Sequence, residues 1–130
     1  MTHPRFSLQD ILYIGLGGMI GSLLRWLLGI GFDGVFPVPT IFVNVLGAAA
    51  LAVLYASQHR LQMQRRFLYM VGFCGSFTTV SLFSHETVQL FMGGHAWMGA
   101  ANILLPVIVA LILVSLIIPP VEKISERRHK

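Results

Sequence analysis

"GFCGSFTTVSLFSHE", residues 72–86, puts two glycines, five hydroxyl side chains, a histidine and a glutamate into an otherwise apolar chain. Unpaired polar atoms are costly in hydrocarbon, so the fold turns on whether this stretch lies in a membrane. Of 130 residues, 55% are hydrophobic and 11% charged, against about 25% charged in a soluble domain. That is the composition of an integral membrane protein. At roughly 20 apolar residues per span, residues 1–130 form a single all-α domain of four transmembrane helices and short loops.

The quoted stretch falls in the third of these spans, about 67–92. The first is expected over about 8–31, with Ser7 and Asp10 spaced as a capping box. "GFDGVFPVP" (31–39) is a Gly/Pro loop, and "TIFVNVLGAAALAVLYAS" (40–57) the second span. A basic loop, "QHRLQMQRR" (58–66), leads into the third, and "GGHAW" (93–97) turns into the fourth. The fourth is expected over about 98–118, stopping at Pro119-Pro120, with a charged tail "VEKISERRHK" (121–130) read as a helical or frayed end. "MTHPRFSLQD" is polar and no small-residue cleavage site follows the first apolar run, so no signal peptide is expected. The single cysteine, Cys74, excludes an intrachain disulfide and reads as a packing residue.

With four spans the N-terminus, middle loop and C-terminus share one side. That side holds Arg5, Arg60, Arg65, Arg66, Lys123, Arg127, Arg128 and Lys130; the two opposite loops hold no Lys or Arg. The bias predicts both termini in the cytoplasm. The pI near 9.9 is thereby a matter of topology, and no nucleic-acid partner is expected.

Within the first span, "GLGGMIGSLLRW" (15–26) carries a GxxxG at Gly17 and Gly21, with Gly18 and Ser22 one step round. This is a helix-packing face; it follows no strand and is not a nucleotide loop. Arg25 costs at least about 2.5–3.5 kcal/mol near a span's centre. Two readings are open for it: snorkelling or capping of carbonyls, and attraction of anions to a channel mouth. Asn44, in the second span, faces protein or a water-filled path.

In the third span Gly72 and Gly75 precede Ser76, Thr78 and Thr79. Glycines and hydroxyls together predict a helix broken near Gly75–Thr79, tolerated where free carbonyls coordinate a cation or line a cavity. Beyond it Thr78, Ser81, His85 and Gln89 fall on one helical face, a polar track flanked by Ser84. Single hydroxyls bonded back to an i−4 carbonyl are the structural alternative. His85 and Glu86 raise proton coupling, but sequence neighbours face different ways on a helix and lack metal-ligand spacing. The fourth span has Asn102 and Ser115, with Pro106 between them expected to kink it.

Together "GGMIGSLLRW" (17–26), "TIFVNVLGA" (40–48) and "GFCGSFTTVSLFSHE" resemble the Fluc/CrcB family of fluoride channels over most of the chain. The third motif is the specific one; family members typically read GF-x-GG-x-TTFSTFS-x-E there. The resemblance implies a fluoride-specific channel in the bacterial inner membrane, not an enzyme, exporting fluoride passively. It implies an antiparallel dual-topology dimer with a central structural Na+. By position it assigns Gly75 and Thr78 to sodium, and Asn44, Thr79, Ser81 and Phe83 to the fluoride path. Arg25 and Glu86 match the family's arginine and glutamate. Neutral amide and hydroxyl donors and positive aromatic edges suit an anion that must bind and still be released.

The departures are specific. Val80 stands where the family has its first pore phenylalanine, and Leu82 replaces a threonine. Ser76 replaces the second glycine of a pair. Pro106 and Ala110 occupy positions that are usually polar. The one-sided charge also argues against a sequence that inserts both ways. The partners implied are fluoride, membrane lipid, and an antiparallel copy or an oppositely oriented homologue. Two alternatives stand beside the self-sufficient channel: one subunit of a heterodimeric channel, poorly conducting alone, and a small coupled drug or cation exporter. The exporter wants a deep carboxylate; Asp10 and Glu86 both lie near span ends.

Overall fold

The computed structural model describes residues 7–31, 34 and 36–127; Arg5, Arg128 and Lys130 of the charge bias lie outside them. The described chain is helical: α1 (Leu8–Gly29), α2 (Val38–Ala56), a 3₁₀ turn (Gln58–Arg60), α3 (Met63–Arg66), a π-helical stretch (Phe67–Cys74), α4 (Gly75–Phe77), α5 (Val80–Met92) and α6 (Ala96–Arg127). Among the described residues four segments are long and apolar enough to cross a membrane: Leu8–Gly29, Val38–Ala56, Met63–Met92 and Ala96–Ile124.

Local chemistry sets the ends. Ser7 caps α1 as its spacing predicts. Its Oγ accepts from the Asp10 N–H at 3.2 Å, and Asp10 Oδ2 accepts from the Ser7 N–H at 2.9 Å. α2 begins at Val38, two residues before the expected start, with proline in its first turn. A missing N–H costs no ladder bond there. The third span gains a turn at its start, where Arg66 Nε donates to the Leu61 carbonyl at 3.1 Å.

The expected stop at Pro119-Pro120 is corrected: α6 runs on to Arg127. A proline inside a helix removes a donor and displaces the carbonyl four residues earlier. Both prolines are exposed, so their rings meet no neighbouring helix. α6 also passes through Pro106 without interruption.

The first half of the third span packs on α1 and its second half on α6, while α2 lies along α6. The α1 contact is backbone against backbone, at the glycines of the expected packing face. A methyl at Gly17 would fall on the Leu68 carbonyl oxygen and 2.8 Å from the Phe73 nitrogen; one at Gly21 would meet the Phe73 carbonyl oxygen at 2.5 Å. Gly72 faces back, its missing methyl aimed at the Ile14 carbonyl. Close approach of this kind substitutes for hydrophobic drive, which lipid removes. Arg60 Nη2 donates to the Ile124 carbonyl at 3.4 Å, so the basic loop and the far end of α6 share one end of the bundle.

Replacing Gly17 or Gly72 by valine is expected to separate α1 from the third span, at about 1–3 kcal/mol for overpacking. Gly15→Ala, which meets open space, should be neutral. Thermal denaturation midpoints in detergent check this ranking.

Candidate functional site

Between α4 and α5 two residues leave the helical conformation. Thr78 has φ −78° and ψ 159°, and Thr79 has φ −147° and ψ 125°. Ahead of them the π-helical turns bond i to i+5 and widen the helix. The rings of Phe73 and Phe77 stack at 5.4 Å between centroids.

Side chains from two other helices meet the exposed backbone. Asn44 of α2 spans Thr79 twice: its Nδ2 donates to the Thr79 carbonyl at 3.0 Å, and its Oδ1 accepts the Thr79 N–H at 2.8 Å. An amide has donor and acceptor at the spacing a peptide unit needs. Arg25 Nη1 of α1 donates to the Thr78 carbonyl at 3.3 Å. Of the two readings of Arg25, this one caps a carbonyl. Thr79 then starts α5, its Oγ1 accepting from the Leu82 N–H at 3.2 Å and lying 3.3 Å from Ser81 Oγ.

The residues singled out in sequence divide between three spaces. Asn44, Thr78, Thr79, Val80 and Phe83 line an open groove of about 280 Å³, together with Pro106, Val107 and Ala110 of α6. Arg25, Thr79 and Ser81 line a second space of about 500 Å³ on the α1 side. Glu86 lines a third, of about 440 Å³, with Thr40, Gln89 and His95. Thr79 is common to the first two. Val80 is 77% exposed, Ser81 and Gly75 are exposed and Phe83 half-buried.

The expected polar track starts one residue group later than its spacing suggests. Thr78 is not on α5, and its hydroxyl donates back to the Cys74 carbonyl at 2.9 Å. Ser81, His85 and Gln89 remain on α5, all exposed. Among the described residues no cluster of three or more His, Cys, Asp or Glu is placed to hold a metal.

Three hydrogen bonds escaped the sequence reading. Thr40, taken only as the start of a span, is buried and donates to Glu86 Oε1 at 2.7 Å. Glu86 Oε2 is buried without a partner. Thr87 donates to the Phe83 carbonyl and accepts from Asn102 Nδ2, each at 2.8 Å. Asn102 is 0% exposed, so this pair ties α5 to α6 behind Phe83. A threonine four residues after Phe83 was a visible signal for its bond to the Phe83 carbonyl. Nothing local pairs Thr40 with a residue 46 positions away.

Fold and site define a small multi-pass membrane protein in which polar side chains of α1, α2 and α6 bond to residues 78–87 of the third span. Residues 12–118 match the family described as "CrcB-like protein, Camphor Resistance (CrcB)"; the chain belongs to this family. Its relatives include proteins named fluoride-specific ion channel FluC. That of Leptospira interrogans serogroup Icterohaemorrhagiae serovar copenhageni is 42% identical over 94 residues, covering 67% of this chain and 74% of its own. The Pseudomonas syringae pv. maculicola protein is 39% identical over 111 residues, 80% of this chain and 87% of its own. The Shewanella denitrificans protein is 35% identical over 115 residues, 84% and 93% respectively.

Asn44→Ala is expected to destabilise the fold by roughly 1–3 kcal/mol for two interhelical bonds in a membrane. Phe42→Ala, at a residue exposed on the same helix, should cost clearly less. Denaturant or thermal unfolding in detergent gives the comparison.

Proposed function

We propose that the chain is a fluoride-specific ion channel, exporting fluoride passively across a bacterial inner membrane and so relieving fluoride toxicity. The relatives' printed name supports this reading. The observation that carries it is the polar grouping around Thr78 and Thr79. Asn44 and Thr79 bring neutral polar groups beside Phe83, and the Thr79 hydroxyl lies 3.3 Å from Ser81 Oγ on the α1 side. Neutral donors replace an anion's water without holding it by full charge. Asn44 Nδ2 has a second hydrogen besides the one given to Thr79, and the Phe83 ring can offer its positive edge.

The extended pair serves, on this reading, as the break in the third span. The Thr79 N–H is directed to Asn44, not to the Gly75 carbonyl four residues earlier. Carbonyls at the end of a half-helix or in unwound backbone are the ligands sodium takes in membranes; Gly75 lies in the last helical turn before Thr78, and a Cβ added there would meet nothing. Thr78 is the more crowded of the two, since its carbonyl already accepts from Arg25. A structural Na+ would be held by the Gly75 and Thr78 carbonyls, offsetting their partial negative charge.

The working unit in this proposal is an antiparallel dimer, with both termini of this subunit cytoplasmic. A second reading follows from the groove walls. α6 contributes only Pro106, Val107 and Ala110 to the groove beside Phe83, and Val80 presents no ring edge. With all assigned charge on one side, the chain then acts as one subunit of a heterodimer whose oppositely oriented homologue supplies the complete path.

Fluoride efflux from liposomes containing this protein alone is expected, with chloride excluded. Efflux only after co-reconstitution with an oppositely oriented homologue favours the heterodimer. Absence of fluoride flux under both conditions refutes the channel. Val80→Phe is expected to raise flux several-fold; unchanged flux removes position 80 from the path. A coupled exporter would instead move protons with cationic substrates, which a proton-flux assay detects.

A further inference from the structure

Three arginines lie within seven residues at the basic end, and two are committed to backbone. Arg60 donates to the Ile124 carbonyl and Arg66 to the Leu61 carbonyl. Arg65 is exposed, and among the described residues it makes no hydrogen bond or ion pair that would hold it. It stands at the rim of a groove of about 710 Å³ between the start of α1 and the start of the third span.

The groove has two chemistries. Leu12, Leu16 and Leu68 form an apolar wall, and Leu12 and Leu16 are 57% and 48% exposed, continuous with the surface that faces lipid. Gln62 and Gln64 flank Arg65 at the rim and bring amide donors. Tyr13 and Tyr69 also line the groove, and such amphipathic rings settle at headgroup level. The nearby acid, Asp10, has its carboxylate engaged with the Ser7 N–H and does not line the groove. The other space at this end differs: it sets Glu122 beside Arg66 and His59, so its charge is partly offset.

We propose that this groove binds an anionic phospholipid, with its phosphate on the Arg65 guanidinium and one acyl chain along Leu12, Leu16 and Leu68. A guanidinium matches two phosphate oxygens at once. Basic pockets between membrane helices on the cytoplasmic side are suited to anionic headgroups. The apolar wall selects a lipid over free phosphate. The inference rests on the membrane reading of the chain and not on what the chain conducts.

The test uses the full chain, purified in detergent and delipidated, then exposed to palmitoyl-oleoyl phosphatidylglycerol or the matching phosphatidylcholine. Retained lipid is counted by native mass spectrometry. Phosphatidylglycerol should be retained in preference, and Arg65→Gln should weaken it about fivefold, the equivalent of about 1 kcal/mol for one basic residue near an anionic surface. Arg65→Lys should retain part of the preference, and Lys123→Gln, an exposed charge outside the groove, all of it. Millimolar inorganic phosphate should not displace the lipid.

Equal retention of the two lipids overturns the proposal. So does an equal loss with Lys123→Gln, which would make the effect one of general basicity. Displacement by phosphate would reduce the site to an anion site and overturn the lipid assignment. If Arg65→Gln changes the assembly size on gel filtration with lipid retention unchanged, the groove belongs to an interface between copies, and the proposal fails.

Discussion

Backbone groups that leave the helical conformation in a chain this apolar need partners from the protein wherever water does not supply them. Thr78 and Thr79 have extended backbone, and two other helices answer them. Asn44 replaces a peptide neighbour for Thr79, and Arg25 covers the Thr78 carbonyl. Each side chain would be a liability alone: an amide and a guanidinium in an apolar span. Each backbone stretch would be equally unstable without them. Paired, they satisfy one another, which explains why a chain so poor in polar residues keeps these.

The pairing depends on distances set elsewhere. Arg25 reaches Thr78 because α1 lies against the third span at backbone contact, which Gly17, Gly21 and Gly72 permit. Asn44 lies one turn before Gly47 on α2. A methyl added at Gly47 would collide with the methyl of Thr78. The glycines therefore do more than allow close helices. They bring a polar side chain within hydrogen-bond length of a backbone that has lost its own partners.

Around this knot the molecule is uneven. Toward α1 the space holds Arg25, Thr79 and Ser81; toward α6 it holds Pro106, Val107 and Ala110 opposite Asn44 and Phe83. For the proposed channel, the polar groups beside Phe83 come from α2 and the third span, and α6 adds only apolar ones. Asn102 and Thr87 lie behind Phe83 as structural ties, closed to solvent. Glu86 belongs to a separate space, held by Thr40.

Several features were legible in residue order alone because they are local. Four spans follow from the lengths of apolar runs, the α1 cap from Ser7 and Asp10, and a packing face from four-residue glycine spacing. The family resemblance was carried by three short motifs, and family membership followed when residues 12–118 matched. The end of the fourth span was misjudged at Pro119-Pro120: prolines disfavour a helix without forbidding it, and α6 continues to Arg127. Residue order could not say that Asn44 would clasp Thr79 with both ends of its amide. Nor could it say that Thr40 would hold Glu86; the Thr78 hydroxyl bonded back to Cys74, by contrast, is the local i−4 alternative that its spacing offered. The partners of Asn44 and Thr40 are chosen by which helices touch and at what depth, and long-range contact in a bundle is decided by packing, where no local periodicity reports it.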